Sequence, residues 1–401
     1  MNSEERVPEQ FVATLMATGA ILSPAVRSAF GSVRRHRFLE GWYQLTVKNQ
    51  HPTYEFVSFN RDEPTAAVLR EIYSDRALIT GIDGLLPSSS SSEPGLVARM
   101  LEMLDLRPGF RVLEIGTGTG YNAALLAEIV GRDGHVSTIE VQAEVAANAR
   151  RFLQGEGYRE VRVVVGDAYT GDPEHAPFNR IEATVGCSDL SLHWLAQLDP
   201  DGCMILPLRH GFLDPIVRIV RFPRGNICAT GSIVGSAGFM PIQGVLSWHE
   251  PWSSYVLPPV NEQPDWTQAL PAHFLSQGKE AAGSPLEDPR HRAFQFFLAL
   301  NSRELFFNGS GYGLADPGTG SRVLLSNEAL EGFSGSSTTR LDCLRKRMTD
   351  LLDAWQSFNC PQLGDYKLEF VRRCDISSAL LEQESVWMIA RPEFVEIVRL
   401  S

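Results

Sequence analysis

An α/β fold is predicted by three observations. Short apolar stretches rich in β-branched residues alternate with helix-period segments between residues 111 and 207. One of them, Arg111–Ile115, runs straight into a glycine-dense turn and then a helix. The 401 residues also exceed the size at which a single core usually stops growing, so a second domain is expected. Together these specify a Rossmann-like sheet of seven strands over residues 1–244, followed by a C-terminal α+β domain over residues 245–401.

Composition narrows the functional classes. With 43% hydrophobic and 21% charged residues the chain is an ordinary globular protein. A formal charge of -12 argues against a nucleic-acid partner, whose phosphates are gripped by clustered Lys and Arg. The basic run Arg34-Arg35-His36-Arg37 reads as a solvated face or an interdomain contact. Six scattered cysteines with no C-x-x-C pair suggest neither a zinc site nor a disulfide framework, so no metal and reduced, partly buried thiols are expected. No apolar run approaches the roughly 20 residues that cross a bilayer, so no membrane partner and a cytoplasmic location are expected.

Taken in order, Phe11 to Met16 has helical amphipathicity and Gly19 stops it. Ser23 is a plausible N-cap, with Pro24 at the first helical position and Val26, Phe30 and Val33 on one face. Residues 41–86 read as irregular. The serines Ser88 to Ser92, ahead of Pro94, read as a flexible loop or a helix N-cap.

The stretch Arg111 to Val130 is the centre of the sequence. Gly116, Gly118 and Gly120 lack Cβ atoms, so the backbone can turn tightly and approach a ligand. Their G-x-G-x-G spacing departs from the dinucleotide pattern G-x-G-x-x-G, in which a helix N-terminus faces a pyrophosphate. Glu114, two residues before the first glycine, suits a ligand carrying a cationic amino acid group. The spacing therefore favours S-adenosylmethionine (SAM) over NAD; a turn with no ligand would need only one glycine. Val136 to Glu140 is the second strand, and Glu140 lies 20 residues after Gly120, the separation at which an acid reaches ribose hydroxyls. A helix over 141–155 and a strand over 161–167 follow. The strand over 178–186 is where the chain order reverses and a crevice opens; residues 198–207 read as a loop followed by the fifth strand, and two further strands over 216–222 and 227–234 complete the sheet.

Several stretches carry a resemblance. They are Pro24 to Leu39, with a V-x-R-x-x-F segment; Tyr73 to Thr80, loosely Y-x-D-x-x-L-x-I; and Ser92-Glu93-Pro94, an S-x-P segment opening a ten-residue gapless match. Leu198 to Pro207 follows L-x-P-G-G-x-x-x-x-P with Asp201 at a usual glycine, and Phe239 to Ile242 follows F-x-P-L. Over about residues 8 to 244 the chain resembles the protein-L-isoaspartate O-methyltransferases. The resemblance implies SAM as donor and S-adenosyl-L-homocysteine as product. It places the cofactor on Glu114, Gly116, Thr117, Gly118, Gly120, Tyr121, Asn122, Glu140, Val141, Gly166, Asp167 and Ala168, the last two beside the adenine. Ser92, supported by Ser91, would orient the acceptor carboxylate, with Ser90, Glu93, Gly186, Cys187 and Ser188 touching the substrate. Two departures stand out: Gly186-Cys-Ser-Asp-Leu-Ser191 replaces a small-residue A-A-A-P segment, and Glu93 replaces an amide or small residue.

A carboxylate acceptor is ionised at neutral pH, so it needs no general base and the protein mainly aligns donor and acceptor. The ester formed closes to a succinimide (aspartimide) that hydrolyses to Asp and isoaspartate. Relatives of this type work in two directions. Repair enzymes act on isoaspartate, whereas versions associated with lanthipeptides and graspetides carry an extra C-terminal domain and methylate an Asp of a ribosomally made, cyclised precursor peptide. Residues 245–401 and the altered 186–191 loop favour the second direction. The repair reaction, a small-molecule SAM methyltransferase and a SAM-binding protein without catalysis remain alternatives. A monomer or weak dimer is expected.

Within residues 245–401, a linker bearing Trp248, Pro251, Trp252, Pro258, Pro259 and Pro264 leads to a helix near 290–300 and strands near 304–307 and 322–325. An amphipathic helix over 341–358 presents Leu344, Met348, Leu351, Leu352 and Trp355 on one face, and strands follow at 365–371 and 386–390.

Overall fold

Ser23 begins the second helix as its cap, its hydroxyl accepting the Val26 N–H at 3.2 Å. Around it the computed structural model describes residues 6–48, 51–84, 86–211, 213–247, 255–256, 265–269, 288–308, 311–326, 329–375 and 386–400. Two units emerge. The first takes Met1–Pro207, Val217–Ala229 and Phe239–Trp248, and the second takes Leu208–Ile216, Thr230–Gly238 and His249–Ser401.

The first unit opens with helices α1 (Arg6–Ala17) and α2 (Pro24–Ser32). Then come strands β1 (Gly41–Lys48) and β2 (His51–Ser58), helix α3 (Ala66–Ile72), and strands β3 (Leu78–Asp83) and β4 (Leu86–Ser91). These four strands form a sheet of order β2-β1-β3-β4, where irregular structure was expected. The serine run is thus a strand: β4 pairs antiparallel with β3, Leu78 opposite Ser91 and Ile79 opposite Ser90. Cross-strand pairing overrides the weak intrinsic strand preference of its residues.

Helix α4 (Pro94–Leu104) leads into the alternating region: β5 (Arg111–Ile115), α5 (Tyr121–Val130), β6 (His135–Glu140), α6 (Ala143–Gly155), β7 (Arg162–Val165), β8 (Phe178–Ala183), α7 (Leu192–Gln197), β9 (Leu198–Pro207), β10 (Asp214–Arg224) and β11 (Ile227–Ala237). Sheet neighbours run β11-β10-β9-β8-β5-β6-β7, and β9, β8, β5, β6 and β7 are mutually parallel. Successive strands step outward from β5 to β7, then the chain returns to β8 on the other side. That reversal opens a crevice at the carboxyl ends of β5 and β8, where ligands bind in open α/β sheets. Val112, Leu113 and Ile115 on β5 and Ala123, Leu125 and Leu126 on α5 are fully buried and fix the glycine turn between two rigid elements.

The second unit contains β12 (Tyr255–Val256), β13 (Trp266–Ala269), α8 (Pro289–Asn301), β14 (Leu305–Asn308), β15 (Gly311–Ala315), β16 (Arg322–Leu325), β17 (Ala329–Phe333), α9 (Thr338–Ser357), β18 (Tyr366–Arg372), β19 (Val386–Ala390) and β20 (Phe394–Leu400). Strands β12 to β17 form a sheet of order β12-β14-β15-β16-β17-β13, and β20 pairs antiparallel with both β18 and β19. Its core joins Phe294 and Phe297 of α8 to Leu344, Met348, Leu352 and Trp355 of α9, so the aromatic residues there are core. The expected linker residues Trp248, Pro251, Trp252, Pro258, Pro259 and Pro264 lie outside the described residues. None of the six cysteines is in a disulfide, and Cys187 and Cys203 are buried. Among the described residues no helix is long and apolar enough to cross a membrane.

Candidate cofactor site and acceptor strand

Each glycine of the turn is demanded by a different neighbour. Gly116, Gly118 and Gly120 have φ of 95°, 52° and 82°, a region L side chains rarely adopt. A Cβ on Gly116 would lie 2.9 Å from the Thr184 hydroxyl beyond β8, and one on Gly118 would lie 3.1 Å from the carbonyl oxygen of Ser90. One on Gly120 would press on Ala149 and Leu153 of α6 at 3.3 Å. The turn therefore touches the reversal point, the serine strand and the following helix at once. Thr117 is buried, and its hydroxyl lies 2.7 Å from that of Thr138 on β6.

Glu140, at the end of β6, accepts the Gly118 N–H at 3.1 Å and the Gln142 N–H at 3.0 Å. Gln142, which sequence reasoning passed over, also donates its side-chain amide to the carbonyl of Ser88 at 2.8 Å. Val141 is exposed beside it. After β7, Gly166 has φ of 150°, and Asp167 accepts the N–H groups of Tyr169 at 2.9 Å and Val245 at 2.7 Å. A Cβ on Gly244 would fall 2.2 Å from Asp167, so the chain at 244–245 closes directly over that carboxylate. Ala168 is buried, and its carbonyl accepts the Trp194 indole N–H at 2.7 Å.

Glu114 is placed differently from the expectation. It points beneath the turn and is fully buried, accepting from the Asn122 amide at 2.7 Å and the Thr138 hydroxyl at 2.5 Å. Asn122 also donates to Glu182 of β8 at 2.8 Å, so it bridges two buried carboxyls rather than facing the crevice. Burial pushes Glu114 up to about 8 and Glu182 up to about 7. Tyr121 is likewise a core residue, its ring edge-on to Phe30 and Phe38. Glu182 was missed, although an acid interrupting the apolar run Phe178–Ala183 was a visible signal.

The serine strand is held from behind by Arg35. This fully buried guanidinium donates to the carbonyls of Ile72 (2.7 Å), Ser74 (3.1 Å), Arg76 (3.0 Å), Ser91 (3.2 Å) and Ser92 (3.0 Å), and to the Ser91 hydroxyl (3.3 Å). The basic run is therefore not simply a solvated face or an interdomain contact: Arg37 pairs with Glu156 and Asp62, and His36 meets Tyr73 at 2.9 Å. Ser91 is buried against Arg35 and so turned away from any acceptor. Ser92 is half-buried, and its hydroxyl makes no hydrogen bond among the described residues. Ser90 is half-buried with its carbonyl against Gly118. Glu93 faces Arg99 at 3.3 Å, and Asp75 accepts the Gly95 N–H at 2.6 Å at the start of α4.

The 186–191 loop, expected to line the acceptor pocket, is interior. Gly186 is joined by backbone hydrogen bonds to Met240 (2.8 Å) and Ile242 (3.0 Å), Cys187 N–H donates to Pro207 at 2.8 Å, and the Ser188 hydroxyl donates to the Leu246 carbonyl. Cys187, Ser188, Asp189 and Ser191 are all buried. Among the described residues one cluster has groups able to hold a metal: His135, Asp172 and His175. Asp172 there already accepts from Ser137 at 2.7 Å and Arg162 at 3.1 Å. His135 is the first residue of β6, at the opposite end of that strand from Glu140.

Known proteins match this geometry. The family described as protein-L-isoaspartate(D-aspartate) O-methyltransferase matches residues 6–244. A protein-L-isoaspartate O-methyltransferase of Methanopyrus kandleri is 35% identical over 229 residues, 56% of this chain and 91% of that protein. One from Methanothermobacter thermautotrophicus is 32% identical over 240 residues, 60% of this chain and 96% of that protein. A solved structure titled protein-L-isoaspartate O-methyltransferase, 24% identical, shares the fold with a TM-score of 0.51 over 90% of this chain and 96% of its own. The chain belongs to the protein-L-isoaspartate O-methyltransferase family of SAM-dependent enzymes.

Proposed function

We propose that this chain methylates the side-chain carboxylate of isoaspartyl residues in peptides or proteins. The observation that carries the reading is the pairing of Ser92 with the glycine turn. A hydroxyl with no hydrogen-bond partner among the described residues stands at the end of a strand that Arg35 clamps from behind, and that strand meets Gly118 through the carbonyl of Ser90. The cofactor would lie across the carboxyl ends of β5, β6 and β7, with its methionine part at Gly116 to Gly120, its ribose at Glu140 and Val141, and its adenine at Gly166 to Ala168. The turn fits such a ligand, since its three glycines have positive φ and leave its backbone without side chains, and the acids Glu140, at the end of β6, and Asp167, after β7, offer acceptors for hydroxyl and amino groups.

When bound, SAM would supply a methyl group on a positively charged sulfur that would keep the S–C electron pair as the acceptor oxygen takes the methyl. Ser92 would donate its O–H to the acceptor carboxylate and so hold it in place. No residue has to remove a proton, because the acceptor is already ionised. The serine contributes orientation, and Arg35 keeps its backbone from moving.

A second reading is methylation of a defined Asp in a cyclised precursor peptide, giving an aspartimide. Residues 245–401, outside the family match, and Glu93 favour it. The repair direction is preferred because the titled solved structure aligns over 90% of this chain, so a region beyond residue 244 is not peculiar to it. The buried 186–191 loop also removes one reason for an altered acceptor pocket. The deciding experiment incubates the full chain and SAM with an isoaspartyl peptide, its aspartyl twin and a cyclised Asp-containing peptide. Mass spectrometry then follows gain of one methyl and later loss of methanol. Turnover of the isoaspartyl peptide alone is expected; turnover of the cyclised Asp peptide alone would overturn the reading.

A further inference from the structure

Central parallel strands, buried on both faces, are usually runs of Val, Ile and Leu. Here β5 and β8 instead place Glu114 and Glu182 directly opposite each other as Cα partners, both fully buried. Asn122, in the first turn of α5, gives its side-chain nitrogen to both, at 2.7 Å and 2.8 Å. Glu114 then continues the chain of contacts upward: it accepts from Thr138 at 2.5 Å, and Thr138 lies 2.7 Å from Thr117 inside the glycine turn.

This network is short of protons. Asn122 Oδ1 and Glu182 Oε1 are buried with no partner among the described residues. The charged groups acting on Glu114 are Glu182 of β8 and Glu140 of β6, both acidic. The residues packed on it from α5 and β6, Asn122 and Thr138, are neutral. Burial raises Glu182 and the hydrogen bond from Asn122 opposes the rise. Two buried carboxyls facing each other on neighbouring strands, with no cation beside them among the described residues, oppose each other's ionisation, so near neutrality the pair holds a proton and titrates as a unit.

We propose that Glu182 is a positioning residue for the cofactor: with Glu114 it holds a proton beneath the glycine turn, and that proton leaves when a sulfonium cation settles above it. The proposal rests on the cofactor site described above. Its consequence is a discrimination that depends on pH. SAM carries one positive charge more than S-adenosylhomocysteine, so ionising the pair strengthens donor binding and leaves product binding little changed. Burial sets both groups to titrate near neutrality, at about 7 and about 8, so the effect falls within the working range. Thr138 and Thr117 are the contacts by which a change in the pair reaches the turn.

The test measures binding, not turnover. Calorimetric affinities of the full chain for SAM and for S-adenosylhomocysteine are taken at pH 6 and pH 8.5 in buffers of different ionisation enthalpy. In the wild type the SAM-to-product affinity ratio is expected to rise about tenfold with pH, with proton release on SAM binding, since one unit of pKa coupling is a factor of about ten. Glu182→Gln keeps the Asn122 contact and removes one of the two titrating groups together with its opposition to Glu114, so the rise is expected to be smaller than in the wild type, below about threefold. Infrared spectra of the ligand-free chain at pH 6.5 should show a buried protonated carboxyl band that weakens in Glu182→Gln; this readout needs no cofactor and stands even if the variant binds poorly. A ratio that rises equally in wild type and Glu182→Gln, or a wild type with neither proton release nor the band, overturns the proposal. If the band is present but neither ligand binds the wild type at any pH, the cofactor assignment fails and takes the coupling with it.

Discussion

Ser91 and Ser92 are adjacent in sequence and serve different ends. The Ser91 hydroxyl is buried against the Arg35 guanidinium, whereas that of Ser92 is half-buried and unpaired. Ser92→Ala is therefore expected to lower kcat/KM on an isoaspartyl peptide about tenfold, the value of one hydrogen bond to a charged acceptor, while leaving the urea midpoint unchanged. Ser91→Ala should do the reverse, with a stability loss on the order of 1 kcal/mol in urea titration and near-normal kinetics of the folded fraction. Arg35 is the larger liability. Removing it as Arg35→Met leaves the carbonyls of Ile72, Ser91 and Ser92 without their donor, and a loss of roughly 3 kcal/mol or more is expected in the same titration. Arg35→Lys should rescue little, because a compact ammonium cannot span acceptors that a planar fork reaches together. The Arg34 to Arg37 run announced charge but not burial, and a run of charges says nothing about which one turns inward.

At the scale of elements, the glycine turn is where sequence and structure agree most closely, because backbone conformation is what glycine reports. Gly118→Ala puts a Cβ at φ 52° and 3.1 Å from the Ser90 carbonyl. It should cost roughly 1–2 kcal/mol of stability and push β4 away from the turn, with SAM affinity by calorimetry falling more than stability alone explains. The alternating strands from β5 to β9 were legible for a similar reason: buried parallel strands write themselves as apolar runs. Elements whose stability comes from partners were not legible. β4 is mostly serine and exists because β3 pairs with it. β15 and β17 carry glycines within five residues, and Gly313 sits where a Cβ would fall 1.9 Å from the Val323 carbonyl, so close strand approach replaces side-chain packing there. The acidic residues were only half legible. Glu140 ends β6 and Asp167 follows β7 by two residues, while Glu114 turns inward to its donors Asn122 and Thr138, which lie on other elements.

Across the whole molecule, buried carboxyls act on stability from opposite sides of the pH scale. In the first unit Glu114 and Glu182 are raised from 4.5 to about 8 and about 7 by burial. Acids with raised values favour the folded state fully below 4.5 and lose that advantage as pH climbs through 7 and 8. In the second unit Glu396 is also fully buried, which alone would raise it, but Arg391 and His210 outweigh the burial and hold it down at about 2. Arg391 donates to it at 2.7 Å, and His210 stands 3.1 Å away, its other ring nitrogen 2.8 Å from the Leu208 carbonyl. An acid with a lowered value stabilises above 4.5 and loses that contribution as pH falls toward 2. The two units should therefore fail at opposite ends of the range. Hydrogen exchange of the full chain, resolved by peptide, is expected to show β5, α5 and β8 losing protection first as pH rises from 4.5 to 8, and β18 and β20 losing it first as pH falls from 4.5 to 2. Glu182→Leu should flatten the alkaline limb, because an apolar side chain has no charge to bury. Saturating SAM should flatten it too, if a cation above the turn offsets the same negative charge. Glu396→Gln should flatten the acid limb while lowering stability at pH 7, since Arg391 then loses its buried counter-charge. Identical pH profiles for peptides from the two units would mean that these carboxyls do not control the unfolding of their own cores.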